Sequence, residues 1–142
     1  MSDQNNVRVA EKAVTDLNQH DVSVGVDLYA DTYQFEAPGA QGSLNLEQSQ
    51  AYVQGFFDAF PDLHFEVTNR IADGEYVVIN WMGTGTHTAP MRSPSGNMIP
   101  ATGKKCLVPG STTYNIKNGK IQKSQWYWDM ATLLAQLGLL QM

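Results

Sequence analysis

A single carboxylate stands beside the largest aromatic side chains of the chain. Asp129 ends the run Trp126-Tyr127-Trp128-Asp129 and is the only acidic residue after Glu75. A carboxylate among aromatic rings suits a general base, because burial disfavours its charged form and raises its pKa towards neutrality. Asp129 also directly precedes the predicted start of the last helix, where Asp is a favoured N-cap and backbone N–H donors lower the pKa. The residues alone leave both interpretations open.

Three further polar residues are candidates for contacts to a substrate. His87 follows two glycines at the end of a predicted strand, where it either donates to a developing oxyanion or is an ordinary loop histidine. Asn80 interrupts the apolar run 76–82; its amide either faces a pocket or bonds a neighbouring backbone group. Strict strand alternation places Gln125 and Tyr127 on the same side as Asp129. We expect Asn80, Gln125 and Tyr127 to bind substrate, with His87 as a second catalytic candidate beside Asp129.

Several large aromatic residues are candidates for the wall of a hydrophobic pocket, with ordinary core packing as the alternative. They are Phe35, Phe56, Phe60 and Trp81. The three histidines have no metal-ligand spacing with Cys106 or with the acidic residues, so we expect no metal site.

The composition fits one folded domain and excludes several classes of protein. The chain has 142 residues, of which 42% are hydrophobic and 16% charged, and its net charge is −5. One domain usually spans ~100–200 residues, so we expect a single domain over residues 1–142. The acidic balance argues against nucleic acid and against an anionic membrane surface as partners.

Targeting features point to the cytoplasm. No apolar run approaches the ~18 residues of a membrane span, and the polar residues 1–6 predict no signal peptide. Cys106 is the one cysteine and cannot form an internal disulfide, which favours a reducing compartment.

The first half of the chain is predicted to be mainly helical. Apolar residues recur at helical spacing from Val7 to Leu17, and a short second helix is expected over 22–29. Residues 33–37 are typical of a strand. The pair Asn45 and Gln48 forms a plausible capping box for a helix that ends before Pro61.

The second half changes to a period of two, which is typical of strands. We expect strands over 63–68, 76–82, 104–117 and 121–128, with hairpin turns at Asp73-Gly74 and Asn118-Gly119. A long loop over 83–103 is predicted to border the pocket mouth or to pack in a dimer. A final helix over 130–137 ends at Gly138. The pattern indicates an α+β protein, with helices on one face of a mostly antiparallel curved sheet and a pocket between them.

Five short segments share the order and spacing of one family over nearly the whole chain. They are Ala59-Phe60-Pro61-Asp62-Leu63, Gly85-Thr86-His87-Thr88, Pro100-Ala101-Thr102-Gly103, Asn118-Gly119-Lys120-Ile121, and Tyr127-Trp128-Asp129 followed by Gln136-Leu137-Gly138. With them, the chain resembles the SnoaL-like polyketide cyclases. The resemblance implies the cone-shaped α+β fold shared with ketosteroid isomerases, scytalone dehydratase and the nuclear transport factors.

The resemblance also implies a chemistry. Cyclases of this family close a ring of an aromatic polyketide ester by an intramolecular aldol reaction, without a metal or an organic cofactor. Their general acid/base is an aspartate that is similar to Asp129. Two departures stand out: Ala37-Pro38 lacks the acid of the ketosteroid isomerases, and Thr112, Thr113 or Tyr114 lies where the family can carry a histidine.

These observations favour a cofactor-independent, cyclase-like enzyme that acts on a small hydrophobic carbonyl substrate. The alternative is a binding protein with the same pocket and no turnover. Epoxide hydrolysis ranks last, because Arg70 has no second carboxylate to join it in the second half of the chain. We expect a homodimer, since an exposed apolar sheet face usually marks an interface. We also expect Asp129 to lie in the main pocket with a raised pKa.

Overall fold

The computed structural model describes residues 3–92 and 96–139. The helices are α1 (Asp3–Leu17), a short 3-10 helix η1 (Val26–Leu28), α2 (Leu46–Ala59) and α3 (Met130–Gln136). The strands are β1 (Tyr29–Glu36), β2 (His64–Asp73), β3 (Tyr76–Thr86), β4 (Met91–Arg92), β5 (Met98–Ile99), β6 (Lys105–Lys117) and β7 (Lys120–Trp128). The α+β class predicted from the sequence is confirmed.

One curved sheet carries five of the strands, in the order β1-β7-β6-β3-β2. β1 and β7 are parallel, and every other pair in this sheet is antiparallel. The two predicted hairpins are present, β2 with β3 and β6 with β7. Gly74, Asn118 and Gly119 take the positive φ angles that their tight turns require. Register shifts in β2 and between β6 and β7 bend the strands, as bulges do.

The second helix of the fold begins where its sequence predicts. The Asn45 side chain accepts from the Gln48 backbone N–H at 2.8 Å, and the Gln48 side chain accepts from the Asn45 N–H at 2.9 Å. This reciprocal pair satisfies two backbone donors that the first turn leaves free. The helix ends before Pro61, so its aromatic face is held over the sheet.

Two local predictions are wrong. Residues 22–29 form only the single turn η1, because Tyr29 already begins β1 and pairs with Ile121 of β7. The 83–103 loop is shorter than expected, since β3 continues to Thr86 and β4 pairs with β5. Residues 93–95 of that predicted loop lie outside the described part of the chain.

Over residues 3–92 and 96–139, the helices pack on one face of the sheet and leave the other face uncovered. α1 contacts β2, β3, β6 and β7, and α2 contacts β1. One buried cluster includes Tyr33, Ile79 and Tyr114, and a second includes Phe60, Met91 and Leu137. The inner face of the sheet and the helices over it therefore enclose the interior in which a ligand site can form.

Candidate functional site

An apolar cavity of about 90 Å³ lies between the inner face of the sheet, α2 and α3. Most of its wall is aromatic, including Phe35, Tyr52, Phe56, Phe65, Trp126 and Trp128. We call it the aromatic cavity. Its volume is several times the ~10–15 Å³ that one water needs, and it approaches the ~150 Å³ of an apolar cavity known to take benzene.

The rings of the wall hold one another in place. Phe65 packs edge-on to Trp81 with ring centroids 5.0 Å apart, and Trp81 lies 5.6 Å from Trp126. Phe56 meets Trp128 edge-on at 5.6 Å. Such edge and tilted contacts are the preferred geometry of aromatic pairs. The rings therefore keep the cavity in this shape.

Trp81 is fixed by a hydrogen bond and by the strand opposite it. Its indole N–H donates to the buried hydroxyl of Thr112 at 2.9 Å. Gly110 lies directly opposite on β6, where an added Cβ would come within 2.3 Å of the Trp81 ring. The register of β3 against β6 therefore sets the position of this ring in the cavity.

The polar atoms of the described lining residues are occupied or uncharged. The Tyr52 hydroxyl donates to the carbonyl oxygen of Pro38 at 2.6 Å, and burial raises the pKa of Tyr52. Burial also raises the pKa of the Cys106 thiol, which lines the cavity. Neither group is ionised at neutral pH, so these walls offer van der Waals contact rather than charge.

The prediction that Asp129 lies in the main pocket with a raised pKa is wrong. Asp129 is exposed and is the N-cap of α3. Its carboxylate accepts from the backbone N–H of Ala131 at 2.9 Å and of Thr132 at 3.3 Å, and from the Thr132 hydroxyl at 3.0 Å. The hydrogen bonds from Thr132, followed by that from Ala131, lower the pKa of Asp129. The N-cap hydrogen bonds, and not burial in a pocket, thus set the pKa of Asp129.

Three predicted binding residues lie on the opposite face of the sheet from the aromatic cavity. Gln125 donates to Glu36 at 3.1 Å, Tyr127 is 55% exposed, and Asn80 pairs with Ser111 on the outer face. Gln125 and Tyr127 do share one side of β7, as alternation predicts, but Trp126 and Trp128 face the cavity. The expectation that these polar side chains line the pocket is therefore corrected.

His87 is buried, but it does not line the aromatic cavity. Its Nδ1 accepts from the Thr102 N–H at 3.3 Å and lies 3.1 Å from the Thr102 hydroxyl. The ring stacks on Phe60 with centroids 5.2 Å apart, and no described residue bonds its Nε2. Burial lowers the pKa of His87, against a smaller opposing contribution from the Ala89 backbone. The neutral ring therefore joins the segment after β3 to the segment before β6.

Unlike the polar candidates, the predicted aromatic residues lie at the aromatic cavity. Phe35, Phe56, Phe60 and Trp81 all line the cavity, although their role in binding a substrate stays a prediction. The sequence interpretation missed Trp126 and Trp128, which alternate with the polar residues of β7. A Trp-x-Trp pattern in a strand is the signal that could have identified the inward face.

The segment predicted to cover the pocket mouth does not contribute to the described lining. Gly83 lines the cavity but belongs to β3, and no other described residue of 84–103 does so. Met91 is buried in the core with Phe60 and Leu137, whereas Met98 is 53% exposed. The structure therefore gives no support to a lid over 83–103.

The described residues hold neither a metal site nor a membrane-spanning helix. Over 3–92 and 96–139, no three His, Cys, Asp or Glu side chains group so that they could hold a metal ion. No helix in that part of the chain is long and apolar enough to cross a membrane. Arg70 forms an ion pair with Glu11 at the surface, away from the aromatic cavity.

The curved sheet with helices on its inner face, enclosing an apolar cavity, defines a cone-like α+β fold. The profile of the SnoaL-like polyketide cyclases matches residues 7–137. The chain belongs to the SnoaL-like polyketide cyclase family. No curated protein matches the sequence.

Solved structures share this fold at low sequence identity. AclR from Streptomyces galilaeus, a proposed hydroxylase, has a TM-score of 0.84 at 21% identity, covering 99% of this chain and 100% of AclR. TsrD from Streptomyces laurentii has a TM-score of 0.82 at 19% identity, covering 99% of each chain. IdmH from Streptomyces antibioticus, a proposed polyketide cyclase, has a TM-score of 0.80 at 20% identity, covering 94% and 98%.

Proposed function

We propose that the protein binds a small hydrophobic molecule, built around a single ring, in the aromatic cavity. The observation that carries this proposal is the wall itself, in which aromatic and aliphatic side chains are preformed around about 90 Å³. Ligand sites are typically apolar clefts with few polar groups. A flat hydrocarbon gains from leaving water and from contact with the ring faces.

The size of the cavity favours a single-ring compound over a multi-ring aromatic polyketide. The volume of about 90 Å³ is of the order of the ~150 Å³ of an apolar cavity that takes benzene, so it leaves room for one ring and not for several fused rings. A bulkier polyketide would require the rings of Phe56 and Trp128 to separate. Membership of the family therefore supports small-molecule binding, while the cavity limits the size of that molecule.

Tryptophan fluorescence tests the proposal, because all three tryptophans of the chain line the cavity. Ethylbenzene, excited away from its own absorption, should quench or shift this emission with saturation. Cys106→Phe fills the cavity and should abolish the change. The matched control is Leu107→Phe, since the neighbouring Leu107 is 53% exposed on the outer face. Equal responses from both variants would reject the proposed site.

A second candidate function, favoured by membership of the family, is cyclase-like acid/base catalysis with Asp129 as the base. Trp128 and Leu133 line the cavity, and Asp129 lies between them in sequence with its carbonyl bonded to the Leu133 N–H. Its carboxylate is ionised at neutral pH, so it can accept a proton from a carbon between two carbonyls. The lowered pKa makes it a weak base, which is why binding ranks first.

Deuterium exchange separates this candidate from binding alone. A single-ring β-keto ester, ethyl benzoylacetate, loses its α-proton to the base and leaves an enolate that takes deuterium from D₂O. If Asp129 is the base, the protein accelerates this exchange over buffer, and Asp129→Asn abolishes the acceleration. Asp58→Asn, at an exposed site on α2, is the control. An equal rate with Asp129→Asn would reject the catalytic role.

We also propose that the protein works in the cytoplasm. Cys106 is a free thiol, and thiols persist in reducing compartments. Immunofluorescence or fractionation of the natural host, with the protein found outside the cytoplasm, would contradict this location.

A further inference from the structure

A second cavity, of about 50 Å³, lies next to the aromatic cavity, between α1, α2 and the sheet. Among the described residues, four line both cavities, and we call them the partition: Leu17, Phe35, Val53 and Trp126. Leu17 comes from α1 and Val53 from α2, whereas the two aromatic residues come from β1 and β7. The side chains of the partition therefore bound the aromatic cavity on this side.

The backbone of Phe35 is held on both sides. Its N–H donates to the carbonyl oxygen of Leu44 and its own carbonyl oxygen accepts from the Leu44 N–H, both at 2.8 Å. On the other side β1 pairs with β7, where Phe35 lies opposite Ser124. A change of the Phe35 side chain therefore alters the partition without releasing the strand that carries it.

The rings that contact Phe35 are anchored by other partners. The Tyr52 ring lies 5.3 Å from the Phe35 ring between centroids, and the Tyr52 hydroxyl donates to a backbone carbonyl oxygen at 2.6 Å. The Trp126 ring lies 6.4 Å from Phe35, but 5.7 Å from Phe65 and 5.6 Å from Trp81. Tyr52 and Trp126 should therefore keep their places when the Phe35 ring is removed.

Removal of the Phe35 ring should thus leave an open space in the core. A large-to-small substitution leaves a cavity because the surrounding side chains relax only partially. The space left by Phe35 would adjoin both cavities, since this residue lines each of them. The joined space would be longer than the aromatic cavity and would accept a second ring fused to the first.

The second cavity offers aromatic contact to a ring that extends into it. The rings of Tyr29 and Tyr33 line this cavity and pack edge-on, with centroids 4.6 Å apart. Burial raises the pKa of Tyr29 to about 12, so its phenol is uncharged at neutral pH. Of the two acids in the lining, Asp16 is paired with Lys12 at 3.0 Å and Asp21 is exposed. An uncharged ring therefore meets aromatic surface there, while the charge of Asp16 is already balanced.

We propose that Phe35 is the residue that limits the ligand of the aromatic cavity to a single ring. This inference deepens the proposed binding of a small hydrophobic molecule and rests on it. It assigns the specificity for ring number to one side chain of the partition, with Trp126 as the fixed part of the same wall. The native chain then selects monocyclic compounds, and a fused two-ring compound is accepted only when the side chain at position 35 is small.

Ethylbenzene and naphthalene test the proposal by calorimetry, because naphthalene closes a second ring with two more carbon atoms. We expect the native chain to bind ethylbenzene about tenfold more tightly than naphthalene or better, since even one methylene group changes the fit to an apolar pocket by roughly 10–200-fold. Phe35→Ala should raise the affinity for naphthalene at least to that for ethylbenzene. Phe35→Val provides a milder variant if Phe35→Ala folds poorly, because valine is favoured in strands.

Phe57→Ala is the matched control. Phe57 and Phe35 are each 4% exposed, and Phe57 lines the aromatic cavity but not the second cavity. The control enlarges the aromatic cavity away from the partition, so it should keep the native preference for ethylbenzene. An equal gain in naphthalene affinity from Phe57→Ala would show that total volume sets the limit, and the proposal would be overturned.

The remaining outcomes separate this inference from the proposed function. If the Phe35 variants bind ethylbenzene and keep the native preference, Phe35 does not select ring number, while the aromatic cavity still binds ligand. If the native chain binds both probes equally, no such selection exists, and the inference is again overturned. If neither probe binds the native chain, the proposed function fails, and this inference fails with it.

Discussion

Asp129 shows how a residue chosen for its chemistry can have a structural role. Its side chain accepts three hydrogen bonds from the first turn of α3. Asn caps helices about as well as Asp, whereas Ala does not. We therefore expect Asp129→Asn to leave the melting temperature nearly unchanged and Asp129→Ala to lower it by a few degrees. Thermal denaturation of the two variants measures this, and an equal loss from both would contradict the capping role.

The buried ring of His87 predicts a pH-dependent stability. The unfolded chain binds a proton at this residue near the ordinary pKa of ~6.5, whereas burial keeps the folded ring neutral to a lower pH. Below pH ~6.5 the unfolded state therefore binds more protons, so the free energy of unfolding falls as the pH is lowered.

Urea denaturation between pH 7 and pH 5 measures this effect. His87→Asn retains an acceptor for the Thr102 N–H but cannot be protonated, so part of the pH dependence should disappear. His64→Gln, at an exposed position of β2, should keep the native dependence. Parallel curves for the native chain and His87→Asn would contradict the assignment.

At the scale of the elements, the pairing of β3 with β6 positions the aromatic cavity. Gly110→Ala places a methyl group where the Trp81 ring lies and should separate its indole from Thr112. Overpacking of this kind costs about 1–3 kcal/mol, and the affinity for ethylbenzene should change with it.

A glycine in open space provides the control for that substitution. Gly55 lies in α2, and nothing is within 4 Å of an added Cβ. Gly55→Ala should therefore stabilise the protein by about 0.5–1 kcal/mol. Chemical denaturation of both variants measures the difference, and a neutral Gly110→Ala would show that Trp81 is not fixed by the opposing strand.

The elements that the sequence predicts well are those with local signals. The capping box at Asn45 and the hairpin turn at Asn118-Gly119 depend on neighbouring residues, so both are recovered. The local sequence predicts a short helix over 22–29, because the parallel pairing of Tyr29 with Ile121, which begins β1 there, is long-range. The aromatic candidates were recovered because large rings tend towards the interior. The inward face of β7 was missed because alternation gives two sides and does not say which is buried.

At the scale of the whole molecule, the uncovered outer face of the sheet supports the expected homodimer. Ile71, Tyr76, Leu107 and Tyr127 are each more than half exposed, and large apolar groups on one face usually mark an interface. We propose that two copies associate through this face. Sedimentation at micromolar concentration should give about twice the chain mass of 15.7 kDa.

A charge on that face should shift the association. Tyr127→Glu is expected to move the sedimentation profile towards the monomer, whereas Val26→Glu, exposed at η1, should not. A native chain that sediments as a monomer would refute the dimer, and an unchanged profile for Tyr127→Glu would place the interface elsewhere.

The central claim is that the aromatic cavity holds a single-ring ligand, and the location of a heavy atom tests it most directly. Crystals of the native protein soaked with bromobenzene should show anomalous density for bromine inside the cavity, in contact with Phe56 and Trp128. Their rings pack edge-on at the cavity wall. Bromine density found only at the protein surface, with the cavity unchanged, would contradict the claim.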